Sequence, residues 1–232
     1  MTAYIFPPAP QASVAVRGTD ARYAVSRIFC VGRNYAAHAR EMGSDPDREP
    51  PFYFTKPASA LAPSGGEIPY APGTQNLHYE MELVVAIGAP VFRATPEQAA
   101  AAVWGYGAGL DMTRRDLQNE AKAIGRPWDL GKGFEHSAVI TELLPAAAAG
   151  ALSRGAITLA VNGVEKQRGD LSDMIWSVPE LVANLSQYYH LGPGDLIYTG
   201  TPEGVGPVKP GDRLHGVIEG LIELDIAIGQ PA

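Results

Sequence analysis

Along most of this chain apolar and polar residues alternate in short runs, and glycine or proline cuts each run before it grows long. Side chains in a strand point alternately to opposite faces, so a period of two marks half-buried strands. On that basis strands are predicted at 27–31, 52–55, 80–87, 104–110, 158–161, 164–167 and 196–199, with two more within 216–228. Between the strands at 158–161 and 164–167 stands Asn162-Gly163, the dipeptide that best tolerates positive φ at both turn positions, so the pair reads as a hairpin. Ser64-Gly65-Gly66-Glu67 reads as another turn.

Helical spacing is rarer. It occurs at 34–42, ending at Gly43 as a C-cap, at 95–103, where Thr95 caps and Pro96 takes the first helical position, and at 113–123. Ser177-Val178-Pro179-Glu180 is a capping-box pattern, and the helix it opens would place Leu181, Val182, Leu185 and Tyr189 on one side. Residues 1–25, rich in Pro and Ala, read as an extended arm, the stretch 44–51 as a loop, and 26–230 as a single domain with no linker. Many short strands with a few short helices predict an α+β class that is mainly β.

Composition narrows the options. With 232 residues the chain is long enough for a sizeable core, and 26 glycines with 20 prolines favour many turns over a helical bundle. A net charge of −7 and the lack of a basic run argue against a nucleic-acid partner. The single cysteine, Cys30, excludes a disulfide framework and a Cys-rich zinc site. No apolar run approaches the roughly 20 residues that cross a bilayer, and the N-terminus lacks a basic region ahead of a long apolar one. A soluble cytoplasmic protein with no membrane partner is the expectation.

Four clusters could carry chemistry. Glu80 and Glu82 alternate onto one face at the start of the apolar run 83–87. Paired carboxylates raise each other's pKa, and their hard oxygens suit Mg²⁺ or Mn²⁺, although a solvated strand face would carry the same spacing. Asp111, closing an apolar strand ahead of a polar helix, is either a third ligand or a helix N-cap. His38 and Glu41 are i,i+3 neighbours on the first helix, either a general base with its orienting carboxylate or a plain ion pair. Arg115 and Gln118, also i,i+3, and Lys132 between two glycines could receive a carboxylate and a carbonyl, or simply be solvated. The loop Thr199-Gly200-Thr201-Pro202-Glu203-Gly204-Val205-Gly206 offers free N–H groups and two hydroxyls as an anion nest, without the lysine and spacing of a P-loop. Neither a G-x-S-x-G elbow nor a G-x-G-x-x-G turn is present.

The order and wording of these clusters resemble the fumarylacetoacetate hydrolase family. The resemblance rests on Gly32-Arg33-Asn34-Tyr35-Ala36-Ala37-His38, Phe54-Thr55-Lys56-Pro57, Tyr79-Glu80-Met81-Glu82-Leu83, Gly109-Leu110-Asp111-Met112-Thr113-Arg114-Arg115-Asp116, Lys132-Gly133-Phe134 and the loop at 199–206. It implies the mixed β-roll of that family's C-terminal domain, usually dimeric, with the site at one mouth of the roll. It further implies an Mg²⁺ or Mn²⁺ ion on Glu80, Glu82 and Asp111, a water-activating His38–Glu41 dyad, and Lys132 as a catalytic cation. Gln118, Gly200 and Thr201 would surround the substrate, assisted by Arg33 and Arg115. The implied reaction is hydrolytic carbon–carbon cleavage of a 2,4-dioxo acid, 3-fumarylpyruvate first among them. An acylpyruvase or an oxaloacetate decarboxylase could use the same residues, and a non-catalytic metal-stabilised binding protein is the reading from another class.

Overall fold

The structure, a computed structural model, describes residues 3–41 and 49–231, apart from the side chains of residues 39–41. Its strands, in chain order, are β1 (Ser13–Ala15), β2 (Arg22–Ala24), β3 (Arg27–Gly32), β4 (Phe52–Lys56), β5 (Leu61–Pro63), β6 (Gly66–Tyr70), β7 (Leu77–Tyr79), β8 (Met81–Ile87), β9 (Val103–Asp111), β10 (Thr113–Arg114), β11 (Ala138–Ile140), β12 (Leu144–Pro145), β13 (Ala156–Val161), β14 (Val164–Asp170), β15 (Asp195–Tyr198), β16 (Gly206–Pro207), β17 (Arg213–Ile218) and β18 (Leu224–Pro231). The helices are short: α1 (Ala36–Glu41), α2 (Pro96–Ala101), α3 (Arg115–Ala123), α4 (Asp129–Lys132), α5 (Ala146–Ala149) and α6 (Val178–Leu185). Among the described residues no helix is long and apolar enough to cross a membrane.

A mixed eight-stranded sheet runs β4-β3-β15-β8-β9-β11-β5, with β12 alongside β9, and a five-stranded sheet runs β14-β13-β17-β18-β6. The main core lies between them. Met81, Leu83, Val85 and Ile87 of β8 join Ile157, Leu159, Leu214, Ile226 and Ile228 there. The other face of the large sheet holds a second cluster, with Ile28, Cys30, Val84, Ala86 and Tyr198, closed over by Val14 and Val25. A strand buried on both faces must be apolar at both parities, and β8 accordingly reads as a continuous apolar run.

The large sheet is curled. In a flat sheet β4 and β9 would lie four strand spacings apart, about 19 Å, yet Lys56 Nζ of β4 stands 2.8 Å from Asp111 Oδ1 of β9. A third, three-stranded sheet, β10-β7-β16, caps the mouth. Each of its strands continues from or into one of the large sheet: β7 into β8, β9 into β10, and β15 into β16.

Local signals hold where they concern turns and caps. Asn162 and Gly163 take φ of 52° and 78° between β13 and β14. The Thr95 N–H donates to Gln98 Oε1 (3.0 Å), and Glu180 accepts from the Ser177 N–H and Oγ–H at 3.0 and 2.7 Å. Some expectations shift. Within the expected arm, β1 and β2 pair as a hairpin that buries Val14 on the large sheet. The strand expected from Glu80 begins at Met81, because Glu80 is the residue at which the chain passes from the small sheet to the large one. The helix expected from Thr113 begins at Arg115, since Thr113 and Arg114 pair with His78 and Leu77. Tyr189 lies beyond α6 and packs on Phe29, ring centroids 5.0 Å apart. The C-cap expected at Gly43 and most of the loop at 44–51 fall outside the described residues.

Candidate active site

Alternation along each strand builds the site on one face of the large sheet. On β8, Glu82 shares the parity of Val84 and Ala86, which face the second core, and Glu80 sits one step beyond the strand. On β9, Asp111 shares the parity of Gly109, whose missing Cβ leaves room for Val84 and Tyr198; a Cβ there would stand 2.6 and 2.8 Å from them. On β4, Phe52, Phe54 and Lys56 share one parity. The face is therefore apolar at one end and charged at the other, where the strands leave for the small sheet.

Glu80, Glu82 and Asp111 are all buried, each offering an oxygen within 4.8 Å of the others'. Buried carboxylates need counter-charge or shared protons. Lys132 Nζ donates to Glu80 Oε2, Asp111 Oδ2 and Thr113 Oγ1, each at 2.7 Å, which uses all three of its protons. Lys56 Nζ faces Asp111 Oδ1 at 2.8 Å and donates to Met112 O. Arg115 pairs with Glu80 Oε1 and bonds Gln118 Oε1.

These pairs divide the carboxylates. Burial works to raise the pKa of Glu80, but the charges of Lys132 and Arg115 outweigh it and hold the carboxyl well below the usual range. Glu82 accepts from the Gly200 N–H at 2.8 Å. Burial first, then the charges of Asp111 and Glu80, pushes its carboxyl well above the usual range. Burial and then Arg115 lower His78, beside the cluster, to about 4. Three converging hard, anionic oxygens, one on a carboxyl whose ionised form is disfavoured until more positive charge arrives, fit a divalent cation of the Mg²⁺ or Mn²⁺ type. The N-cap of α3 is Arg114, so Asp111 is not a helix cap.

Most of the other expected residues meet at the same place. A cleft is lined by Arg33, His38, Glu80, Glu82, Arg115, Gln118, Lys132 and Thr201, with Phe52, Phe54 and Trp128 as its apolar wall. Arg33 takes φ of 57° and lies over the Phe52 ring at 5.4 Å. His38 is buried on α1. Glu41 ends α1, but its side chain lies outside the described residues, so the dyad stays an expectation. The close approach expected at Gly131 is real: a Cβ there would stand 3.0 Å from Gln118 Cβ, so α4 seats Lys132 directly on α3. Lys132 is drawn to Glu80 and Asp111 rather than standing free in the cleft.

Three buried residues near the site were not singled out from sequence. Lys56 braces Asp111. Asn34 bonds Trp176 O and Thr199 O, both at 2.9 Å, holding the loop at 199–206 to α1's approach. Gln167 bonds Met81 N, Thr201 Oγ1 and Pro202 O. For Lys56 and Gln167 a polar residue at a buried strand position is the one local signal, and in the mostly polar β14 it does not stand out; Asn34, between β3 and α1, carries none.

The family model described as fumarylacetoacetate (FAA) hydrolase C-terminal matches residues 27–228. The chain is 52% identical to the fumarylpyruvate hydrolase of a Ralstonia species over 190 residues, 81% of this chain and 98% of that one. It is 43% identical to the mitochondrial oxaloacetate tautomerase of Homo sapiens, over 88% of this chain and 92% of that one. Among solved structures it is similar to fumarylpyruvate hydrolase from Pseudomonas aeruginosa in complex with Mn²⁺ and pyruvate. That match has a TM-score of 0.96 and 50% identity, covering 98% of this chain and 100% of the other.

Proposed function

The chain belongs to the fumarylacetoacetate hydrolase family, and from this we propose that it is a divalent-metal-dependent hydrolase that splits 3-fumarylpyruvate, a 2,4-dioxo acid, into fumarate and pyruvate. The observation that carries the reading is the convergence of Glu80, Glu82 and Asp111 within 4.8 Å on a cleft that also holds His38, Arg115, Gln118 and Lys132.

Glu80, Glu82 and Asp111 would hold Mg²⁺ or Mn²⁺. When bound, the ion supplies Lewis-acid polarisation of the substrate's oxygens and positive charge opposite the pyruvate end. Arg115 and Gln118 orient the substrate carboxylate by directional hydrogen bonds. His38, oriented by Glu41, takes a proton from water at a ring nitrogen, and the hydroxide adds to the C4 carbonyl. The Thr201 hydroxyl donates to the oxyanion that develops there, and the Lys132 ammonium, held on Glu80 and Asp111, adds positive charge beside it. The C4–O bond forms and the C3–C4 bond breaks; its electron pair leaves with the pyruvate fragment, which takes up a proton at C3. Phe52, Phe54 and Trp128 keep bulk water off the reacting atoms.

Two relatives named oxaloacetate tautomerases, 40% and 43% identical, support a second reading: keto–enol exchange of oxaloacetate on the same residues. That reaction moves protons and needs no attacking water. The finer proposals are a role in gentisate breakdown, a cytoplasmic homodimer, and one catalytic domain over 26–230 with the segment 1–25 as its arm.

Incubating the protein with Mn²⁺ and 3-fumarylpyruvate should bleach the dioxo-acid absorbance and release fumarate and pyruvate in equal amounts. His38→Ala should lose that turnover. No cleavage of any acylpyruvate, with oxaloacetate tautomerised rapidly, would replace the hydrolase reading by the second one.

A further inference from the structure

The five-stranded sheet contributes one buried polar side chain among the described residues, Gln167 of β14. It lies directly opposite Leu159, on the core face. A lone amide in an apolar sheet is costly unless every group on it is satisfied, and here all of its bonds run to the active-site mouth.

Its orientation is set by its partners. The Met81 N–H can only donate, so it takes Oε1, at 3.0 Å. The Pro202 carbonyl can only accept, so it takes Nε2, at 2.9 Å. The second Nε2 proton therefore goes to Thr201 Oγ1, at 2.8 Å. Because Thr201 Oγ1 is an acceptor towards Gln167, its own proton must point elsewhere, and among the described residues no acceptor for it is found. Thr201 lines the cleft. Met81 lies between Glu80 and Glu82, so one amide ties the Thr201 loop to the backbone that carries the carboxylates.

The loop is also seated on β14 through its backbone. Gly204, at φ +89°, lies so close that a Cβ would stand 2.1 Å from Lys166 O, and a Cβ on Gly169 would stand 2.8 Å from Pro202. We propose that Gln167 is a positioning residue for catalysis: it fixes the Thr201 hydroxyl as a hydrogen-bond donor aimed at the substrate. This rests on the reading of Thr201 as a substrate contact.

A double-mutant cycle tests it, with kcat/KM for 3-fumarylpyruvate and the dissociation constant of pyruvate, at saturating Mn²⁺, as the two readouts. Thr201→Val should lower kcat/KM about tenfold to a hundredfold, the range for one hydrogen bond to developing charge, and Thr201→Ser should restore most of it. Gln167→Met should reproduce the loss, and adding it to Thr201→Val should lower neither readout further. Gln167→Glu keeps the acceptor for Met81 and replaces both donors, so it serves where Gln167→Met fails to fold. It should match Thr201→Val. Losses that multiply in the double variant would mean that Gln167 acts only through general stability, and would overturn the proposal. Gln167 variants at wild-type kcat/KM beside an impaired Thr201→Val would overturn it while leaving Thr201 as a substrate contact. Thr201→Val at wild-type values would overturn the substrate reading and the proposal together.

Discussion

The two large sheets share one core but divide the chemistry unequally. The eight-stranded sheet buries Lys56, Glu82, Asp111 and Asp195 within its strands, and the five-stranded sheet buries only Gln167 among the described residues. Desolvated charge persists only where geometry pairs it, since a buried ion left alone loses several kcal/mol of hydration. The eight-stranded sheet provides that pairing by curling, which brings cations from β4, α3 and α4 onto carboxylates of β9 and the link before β8, while Glu82 of β8 is held by the Gly200 N–H. The five-stranded sheet provides the apolar backing, Ile157, Leu159, Leu214 and Ile226, against which such a strained set of charges can be held. One sheet thus carries the charged groups of the site, and the other, Gln167 apart, its apolar backing.

The comparison can be broken most decisively at Asp111. Asp111→Asn should lower kcat/KM by roughly a thousandfold or more, about 4 kcal/mol of transition-state stabilisation, with the circular dichroism of the folded protein retained. It should also abolish the stabilisation by Mn²⁺, which in the unmodified protein should reach about 2.7 kcal/mol at a hundred times its dissociation constant. A variant that remains active would remove the eight-stranded sheet's claim to the chemistry.

Next in size is Leu159→Ala in the five-stranded sheet. Removing this fully buried side chain should cost about 2–5 kcal/mol of stability in urea unfolding, with kcat per folded molecule within about twofold of the original, since Leu159 lies in the apolar core and not in the lining of the cleft. A fall in kcat of the same size as the fall in stability would show that the sheets do not separate these roles. The smallest effect is expected at the hairpin tip. Gly163→Ala places a Cβ at φ of 78° and should cost about 1 kcal/mol, with no change in turnover.

Much of the frame was legible beforehand because its signals are local. Asn162-Gly163 needs only its own backbone preferences to turn, and Ser177 with Glu180 needs only the first turn of its helix to cap. The alternation that set Glu80 and Glu82 on one side is likewise a property of a single strand. Lys56 and Gln167 were less visible. In sequence each is an ordinary polar residue in a short strand, and its importance lies in a partner some 35 to 55 residues away: Asp111 for Lys56, Thr201 for Gln167.

Local sequence dictates where the chain turns, which residues alternate onto which face, and that hard oxygen ligands, a histidine and several cations are present in a family's order. How those charges pair was set by contacts between distant strands and helices. Which carboxylate sits beside a lysine and which beside its like charges depends on the curl of a sheet that carries β4 across to β9, and hence on distances no local pattern encodes. Coulomb energies in a low-dielectric interior change steeply over a few ångströms, so residues of the same type, Glu80 and Glu82, end with their pKa values moved in opposite directions.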